Sequence, residues 1–325
     1  MKKHFKKLLL MALMAVMAVG LIACGTDKSD NESTKEEKTS VTITSLDSSK
    51  NEIELEVPYN PKRIAILDLA SLDIIDELGV GDRVVGMAST SIDYLEKYSN
   101  DASIKNLGTI KEADLEAVME CEPDIIFIGG RLSKSYDALS EIAPVVYLAT
   151  DTNEGLVNSV SKNAKTIASI FGMEDKVDSL MSDFGARIDA IKKISSGKTA
   201  LVGMTTSGSF NLLGNDGRCS LIGVEAGFNN LTAAGSTSTH GNETSFETVV
   251  KQNPDYIFVM DRDSAISTAG AKTAKEIVEN ELVKTADAYK NNHIIYLEHS
   301  NVWYTAEGGI QALDIMLTDL EKGLK

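Results

Sequence analysis

The sequence is poor in the residues that build covalent frameworks and catalytic centres. Its 325 residues include three cysteines, four histidines, five prolines and one tryptophan. So few cysteines make no disulfide framework. No CxxC, HExxH, GxSxG or GxGxxG motif stands in a supporting context. The GKT at 197–199 resembles the end of a phosphate loop, but its upstream glycine position is Lys192 and the segment precedes a strand. Without a nucleophile–base constellation or a phosphate loop, the chain does not read as an enzyme. Positive charge is also short: 32 Lys and Arg face 48 Asp and Glu, a net −16. Such a balance suits neither DNA nor RNA. The one long apolar run, LLLMALMAVMAVGLIA, has 16 residues, fewer than the roughly 20 a spanning helix needs.

What is present begins with that run. A basic start (MKKHFKK) followed by a short apolar stretch predicts a secretory signal over residues 1–23. Its end, Leu21-Ile22-Ala23-Cys24, resembles a bacterial lipobox. Cys24 would then carry lipid and anchor an extracytoplasmic protein to the cell membrane. Residues 25–40 contain no apolar side chain, so 24–40 reads as a lipidated flexible tether. The signal holds four lysines and no acid, which leaves the remainder at −20. Cys121 precedes an apolar strand and is expected to pack as a small apolar side chain.

Residues 115–131 (LEAVMECEPDIIFIGGR) recur at 246–262 (FETVVKQNPDYIFVMDR), with seven of seventeen positions identical; chance would give about one. Each copy predicts a helix, a Pro-Asp turn, a buried strand and an arginine just past the strand end. A single recurrence after 131 residues predicts two similar α/β lobes with mainly parallel sheets. The N-terminal lobe spans 41–173 and the C-terminal lobe 195–325. The 41–57 alternation predicts a hairpin, and SLDIIDELG (71–79) a helix capped by Ser71. Val177, Leu180, Met181, Phe184, Ile188 and Ile191 recur at helical spacing. They predict one long connecting helix over 174–194, a stiff spine with a ligand cleft between the lobes. Asp73, Asp76 and Glu77 read as a solvated helical face.

Arg131 and Arg262 fall at the carboxyl edges of the two sheets, where α/β ligand sites form. Their guanidinium groups suit anionic oxygens; a local salt bridge of Arg262 with Asp261 or Asp263 is the plainer alternative. Lys134 is either a further donor or a solvated lysine. Arg218 sits in the Gly-rich turn GNDGRCSLIG, which can place a cation beside exposed amides. His240 stands in a small polar loop, and Tyr304 beside Trp303 in a loop before the last helix. Imidazole and phenolate both ligate Fe(III). Glu116 and Glu247 repeat near the start of a helix, either complementing its dipole or forming two outward acidic knobs for a dimeric partner.

SLDIIDELG, PDIIFIGGRLSKSYDALSEIAPVVYL, STHGNETSFETVVKQNPDYIFVMDRDSAI and the WY…GG segment together resemble the helical-spine solute-binding lipoproteins of ABC importers. Among these the chain is most similar to binders of ferric catecholate siderophores of the petrobactin type. The resemblance implies that Arg131, Arg218 and Arg262 surround the ferric complex and that Lys134 assists. It implies that His240 and Tyr304 can coordinate iron directly, and that Glu116 and Glu247 dock onto a permease dimer. It also implies a monomer with no intrinsic cofactor. The same fold can instead bind haem, cobalamin or a ferric hydroxamate; a neutral hydroxamate complex would not call for three arginines.

Overall fold

The short apolar runs become the central strands of two sheets. The computed structural model describes residues 38–233 and 237–325, so the signal and Cys24 lie outside the described residues. Ser40–Leu46 (β1) and Glu52–Pro58 (β2) form the antiparallel hairpin that the alternation predicts. There follow β3 (Ile64–Leu67), α1 (Leu69–Glu77), β4 (Val84–Met87), β5 (Lys105–Asn106), α2 (Leu115–Glu120), β6 (Ile125–Ile128) and β7 (Val145–Tyr147). The last five strands pair in the order β5-β4-β3-β6-β7, all parallel. Every residue of β3 and β6 is buried, as strands covered on both faces require.

A helix α3 (Leu156–Phe171) then leads into the link. The span 174–194, expected as one helix, is two: α4 (Glu174–Leu180) and α5 (Phe184–Ser195). The break has a local cause. Ser182 sends both its hydroxyl (2.8 Å) and its amide (3.4 Å) to the Ser179 carbonyl, the competition with helix geometry that serine brings. Val177 on α4 and Phe184, Ile188 and Ile191 on α5 are all buried, so the apolar periodicity was sound while the continuity was not. Arg187 ties α5 to the C-terminal helix through Glu321 at 2.7 Å.

The second half comprises β8 (Thr199–Thr206), β9 (Ser209–Leu212), α6 (Ser220–Gly223), β10 (Asn229–Asn230), β11 (Asn242–Glu243), α7 (Phe246–Gln252), β12 (Tyr256–Asp261), α8 (Arg262–Ala265), β13 (Ile294–Tyr296), α9 (Ser300–Thr305) and α10 (Ile310–Gly323). Its sheet order is β11-β9-β8-β12-β13, with β10 also on β8. β12 is parallel to β8 and β13, while β9 runs antiparallel to β8 and β11 antiparallel to β9. The antiparallel edge starts at Ser207-Gly208, where φ is 51° and 82°. Two positive φ values make the two-residue hairpin turn that matches strand twist.

The repeat is structural. Ile126 pairs with Ala65, and its counterpart Ile257 with Leu201. Asp124 accepts the amides of Lys62 (2.7 Å) and Arg63 (2.9 Å), and Asp255 accepts that of Thr199 (2.8 Å). Each repeated aspartate thus clamps the entry of its lobe's first parallel strand.

Two local expectations change. Asp68, not Ser71, caps α1, accepting the Ser71 amide at 2.9 Å. Asp73 is not solvated but fully buried. It accepts the Tyr94 hydroxyl at 2.5 Å and the Gln311 and Ala312 amides at 2.9 Å each. Burial pushes its carboxyl up to about 7, against the pull of those donors. An acid of the N-terminal lobe thereby caps the C-terminal helix. Asp73→Ala strands two helix amides and a hydroxyl, so it is expected to cost about 3 kcal/mol. The melting temperature should fall by roughly 5–10 °C for a unit of this size. An unchanged thermal melt would mean that water replaces the carboxylate.

Candidate functional site

The carboxyl ends of β3, β6 and β7 open onto a cleft of about 600 Å³. Asp68, Gly129–Arg131 and Leu148–Thr152 line one side; Asp216–Arg218, Thr239 and Tyr304–Gly308 line the other. The cleft thus lies at the carboxyl edge of a parallel sheet, the place where ligand sites of α/β folds form.

Tyr304 occupies the centre. It lies on α9, a helix where a loop was expected, and its residue is 4% exposed. Its neighbour Trp303 fixes that helix: the indole is fully buried, and its Nε1 donates to Asp319 at 3.0 Å. Asp319 also accepts the His299 amide at 3.0 Å, and its other oxygen lies 2.7 Å from His299 Nδ1. Trp303 is thus a packing residue, while Tyr304 faces the cleft.

Three guanidinium groups surround the Tyr304 ring. The distances from ring centroid to guanidinium carbon are 4.6 Å for Arg218, 5.6 Å for Arg131 and 5.7 Å for Arg262, within reach of cation–π attraction. Arg131 crosses from the other lobe to donate to the Tyr304 carbonyl at 2.8 Å. Arg262 donates to the Tyr304 hydroxyl at 3.2 Å and also makes the local salt bridge with Asp263 at 3.1 Å. Arg218 donates to the Thr239 carbonyl at 2.6 Å, while its buried Nε has no partner among the described residues. Burial and the Arg218 charge lower the Arg131 pKa. For Tyr304, burial works to raise the pKa. The hydrogen bond from Arg262 and the charges of Arg218, Arg262 and Lys111 outweigh it, and the net shift is downward.

The other expected residues are placed less centrally. His240 lies in an exposed turn beside cleft-lining Thr239. Its pKa is lowered by burial and then by Arg262, Arg218, Lys111 and Arg131, so the neutral imidazole is favoured. Lys134 is exposed in the 3₁₀ turn after β6 and is not among the residues lining the cleft. Glu116 and Glu247 are exposed in the first turns of α2 and α7. Those helices are capped alike, by Asp114 accepting from Ala117 (3.0 Å) and by Ser245 accepting from Thr248 (3.3 Å).

Three charged residues escaped the sequence reading. Lys111 adds positive charge felt by both His240 and Tyr304. Asp68 closes β3 inside the cleft, and burial raises its pKa against the Ser71 hydrogen bonds and the Arg131 charge. The carboxyl-edge rule that singled out Arg131 applies equally to Asp68. Glu307 follows α9, and its carboxyl is pushed up to about 7. Burial is the main cause, opposed by Arg218, Arg131 and a hydrogen bond from the Cys219 amide.

Two α/β lobes, a cleft at their junction and converging guanidinium groups are the arrangement of a solute-binding protein. The chain belongs to the periplasmic binding protein family, whose model matches residues 64–300. It is 36% identical to the petrobactin-binding protein YclQ of Bacillus subtilis, covering 98% of this chain and 99% of that one. The crystal structure of YclQ matches with a TM-score of 0.81 over 89% of this chain and 99% of that chain. The periplasmic catecholate-siderophore binding protein VctP from Vibrio cholerae matches at 30% identity and a TM-score of 0.78, over 87% of this chain and 100% of that chain. The ferric-anguibactin-binding protein FatB of Vibrio anguillarum is 26% identical, over 82% of this chain and 84% of that protein.

Proposed function

We propose that this protein captures an anionic ferric catecholate siderophore outside the cytoplasm and delivers it to the permease dimer of an ABC importer. The observation that carries this reading is the convergence of Arg131, Arg218 and Arg262 on one tyrosine from both lobes. A ferric tris-catecholate bears three negative charges, and an acidic chain repels it unless the cleft is locally basic. Charge-assisted hydrogen bonds from guanidinium to catecholate oxygen favour the iron-loaded complex, because a free catechol is largely neutral.

In this reading Arg131, Arg218 and Arg262 hold the anionic oxygens, and Lys134 adds a donor when the lobes close. Tyr304, with its lowered pKa, and the neutral His240 are the donors to iron in a complex with open coordination sites. Glu116 and Glu247 dock one to each permease subunit, and lipid on Cys24 tethers a monomer to the membrane. Relatives described as petrobactin-, catecholate- and anguibactin-binding support the ligand class.

The test is titration of residues 38–325, which form one compact unit, with ferric petrobactin, ferric enterobactin and ferrichrome. Trp303, the only tryptophan, adjoins the cleft tyrosine and serves as the fluorescence reporter. Tight binding of a catecholate complex is expected, with ferrichrome weak. Tight ferrichrome binding without catecholate binding would replace this reading with a hydroxamate one.

A further inference from the structure

The two longest helices among the described residues, α3 and α10, both begin on a glycine and carry no side-chain cap of their own. A helix start leaves amides unpaired, and here acids from the other half of the chain accept them. Asp73 on α1 accepts the Gln311 and Ala312 amides of α10 at 2.9 Å each. Glu225, just after α6, accepts the Val157 amide of α3 at 3.2 Å. Each half thus caps a long helix of the other. The glycines leave the room: a Cβ on Gly309 would run into the Asp73 carboxyl, and one on Gly155 would lie 2.9 Å from Glu225 Oε1. Gly155 also needs its freedom for a φ of 82°. Gly309 does not, because its φ of −88° and ψ of 163° suit the serine or aspartate that ordinarily caps a helix. Its missing side chain is explained by the space that Asp73 takes. Both helix starts border the cleft, whose lining includes Leu156 and Gly308. Glu225 Oε2 is buried with no partner among the described residues, a cost that a residue selected for stability alone would avoid.

We infer that Asp73 and Glu225 are positioning residues for solute binding: as reciprocal caps they hold the two halves at the spacing that assembles the arginine–tyrosine cage. Each cap anchors one cage residue. Tyr304 lies on α9, directly before α10, so the hold of Asp73 on the start of α10 is a hold on the segment that carries Tyr304. Arg218 directly precedes Cys219 and α6, so the bond from α3 to Glu225 fixes the segment that carries Arg218. Both anchors lie on the half that carries Arg131, whose 2.8 Å bond to the Tyr304 carbonyl is lost if the halves separate or rotate. A cage assembled before the ligand arrives spares the complex the cost of ordering it. If the assembled spacing becomes a minor population, apparent affinity falls in proportion. The inference rests on the siderophore reading for the choice of ligand, and the spacing itself is read without ligand.

The experiment places spin labels on residues 38–325 at Met119→Cys and Lys251→Cys, exposed positions on α2 and α7; the native thiols Cys121 and Cys219 are buried. Double electron–electron resonance then reads the spacing of the halves as a distance distribution, and titration with preformed ferric enterobactin reads affinity. Asp73→Ala and Glu225→Ala should each broaden the distribution about twofold and weaken binding about tenfold, the loss expected when about a tenth of the molecules keep the competent spacing. Glu225→Gln keeps an acceptor oxygen for the Val157 amide and should restore both. Tyr94→Phe is the control for stability alone, because Tyr94 donates to Asp73 at 2.5 Å from within the same half. It should lower the melting temperature and leave distribution and affinity unchanged. A wild-type distribution or wild-type affinity in either alanine variant overturns the inference. So does equal broadening by Tyr94→Phe, or broadening by Glu225→Gln as large as that by Glu225→Ala. Should Asp73→Ala fail to fold, the two Glu225 variants decide. Absence of binding by the wild-type chain overturns the siderophore reading, and the distance distributions still decide this one.

Discussion

Arg131→Ala and Arg262→Ala are each expected to weaken ferric catecholate binding by about 10- to 100-fold. Each replacement removes charge-assisted hydrogen bonds of about 1.5–3 kcal/mol from a partly desolvated cleft. Each also releases Tyr304: Arg131 holds its carbonyl and Arg262 its hydroxyl. Because both act on one residue, the double variant should lose less than the sum of the singles. Arg131→Lys separates charge from geometry. It keeps the cation but not the planar fork, so an intermediate loss is expected. Equilibrium titration with a preformed ferric catecholate measures all four variants. Unchanged affinity in both alanine variants would remove these arginines from the binding site.

Glu116→Arg combined with Glu247→Arg should abolish iron uptake by cells while leaving affinity for the ferric complex unchanged. Both carboxylates are exposed and neither lines the cleft, so affinity is expected to be independent of them. Both stand in the first turn of a capped helix, at corresponding places in the two lobes. Leu115 and Met119, 37% and 55% exposed on α2, flank Glu116 with apolar surface suited to a protein contact. Reversal of both charges turns two attractions to basic sockets into two repulsions, and like-charge juxtaposition at an interface costs several kcal/mol. Uptake of radiolabelled iron and titration of the purified variant are the paired measurements. Normal uptake would show that the permease does not read these knobs; lost binding would show that they support the cleft.

The central strands were legible because each is a short apolar run bounded by turns, and the repeat exposed the second lobe through its resemblance to the first. Asp124 and Asp255 show how direct that link is: one repeated residue makes the same backbone clamp twice. The continuity of 174–194 was not legible. Its apolar spacing passes unbroken through a point where Ser182 diverts to the Ser179 carbonyl, and periodicity reports burial rather than backbone continuity. Asp73 was misread for a related reason. An acid on an amphipathic helix is ordinarily solvated, and only the arrival of Gln311 and Ala312, more than 230 positions later, makes its burial tolerable.

The sequence by itself determined the two α/β lobes, the arginines at the sheet edges and the acids at the helix starts. The arginines and acids follow from spacing within some twenty neighbouring residues, and the second lobe from the recurrence of that pattern after 131 positions. Only the tertiary structure decided that Arg131, Arg218 and Arg262 meet at Tyr304, and that Glu307 stands among them. Residues 131, 218, 262, 304 and 307 are brought together by the packing of α9 and α10 against both lobes, through Trp303, Asp319 and Asp73. The charge that a guanidinium or carboxyl carries in the cleft depends on those distances and on desolvation, which no local pattern encodes.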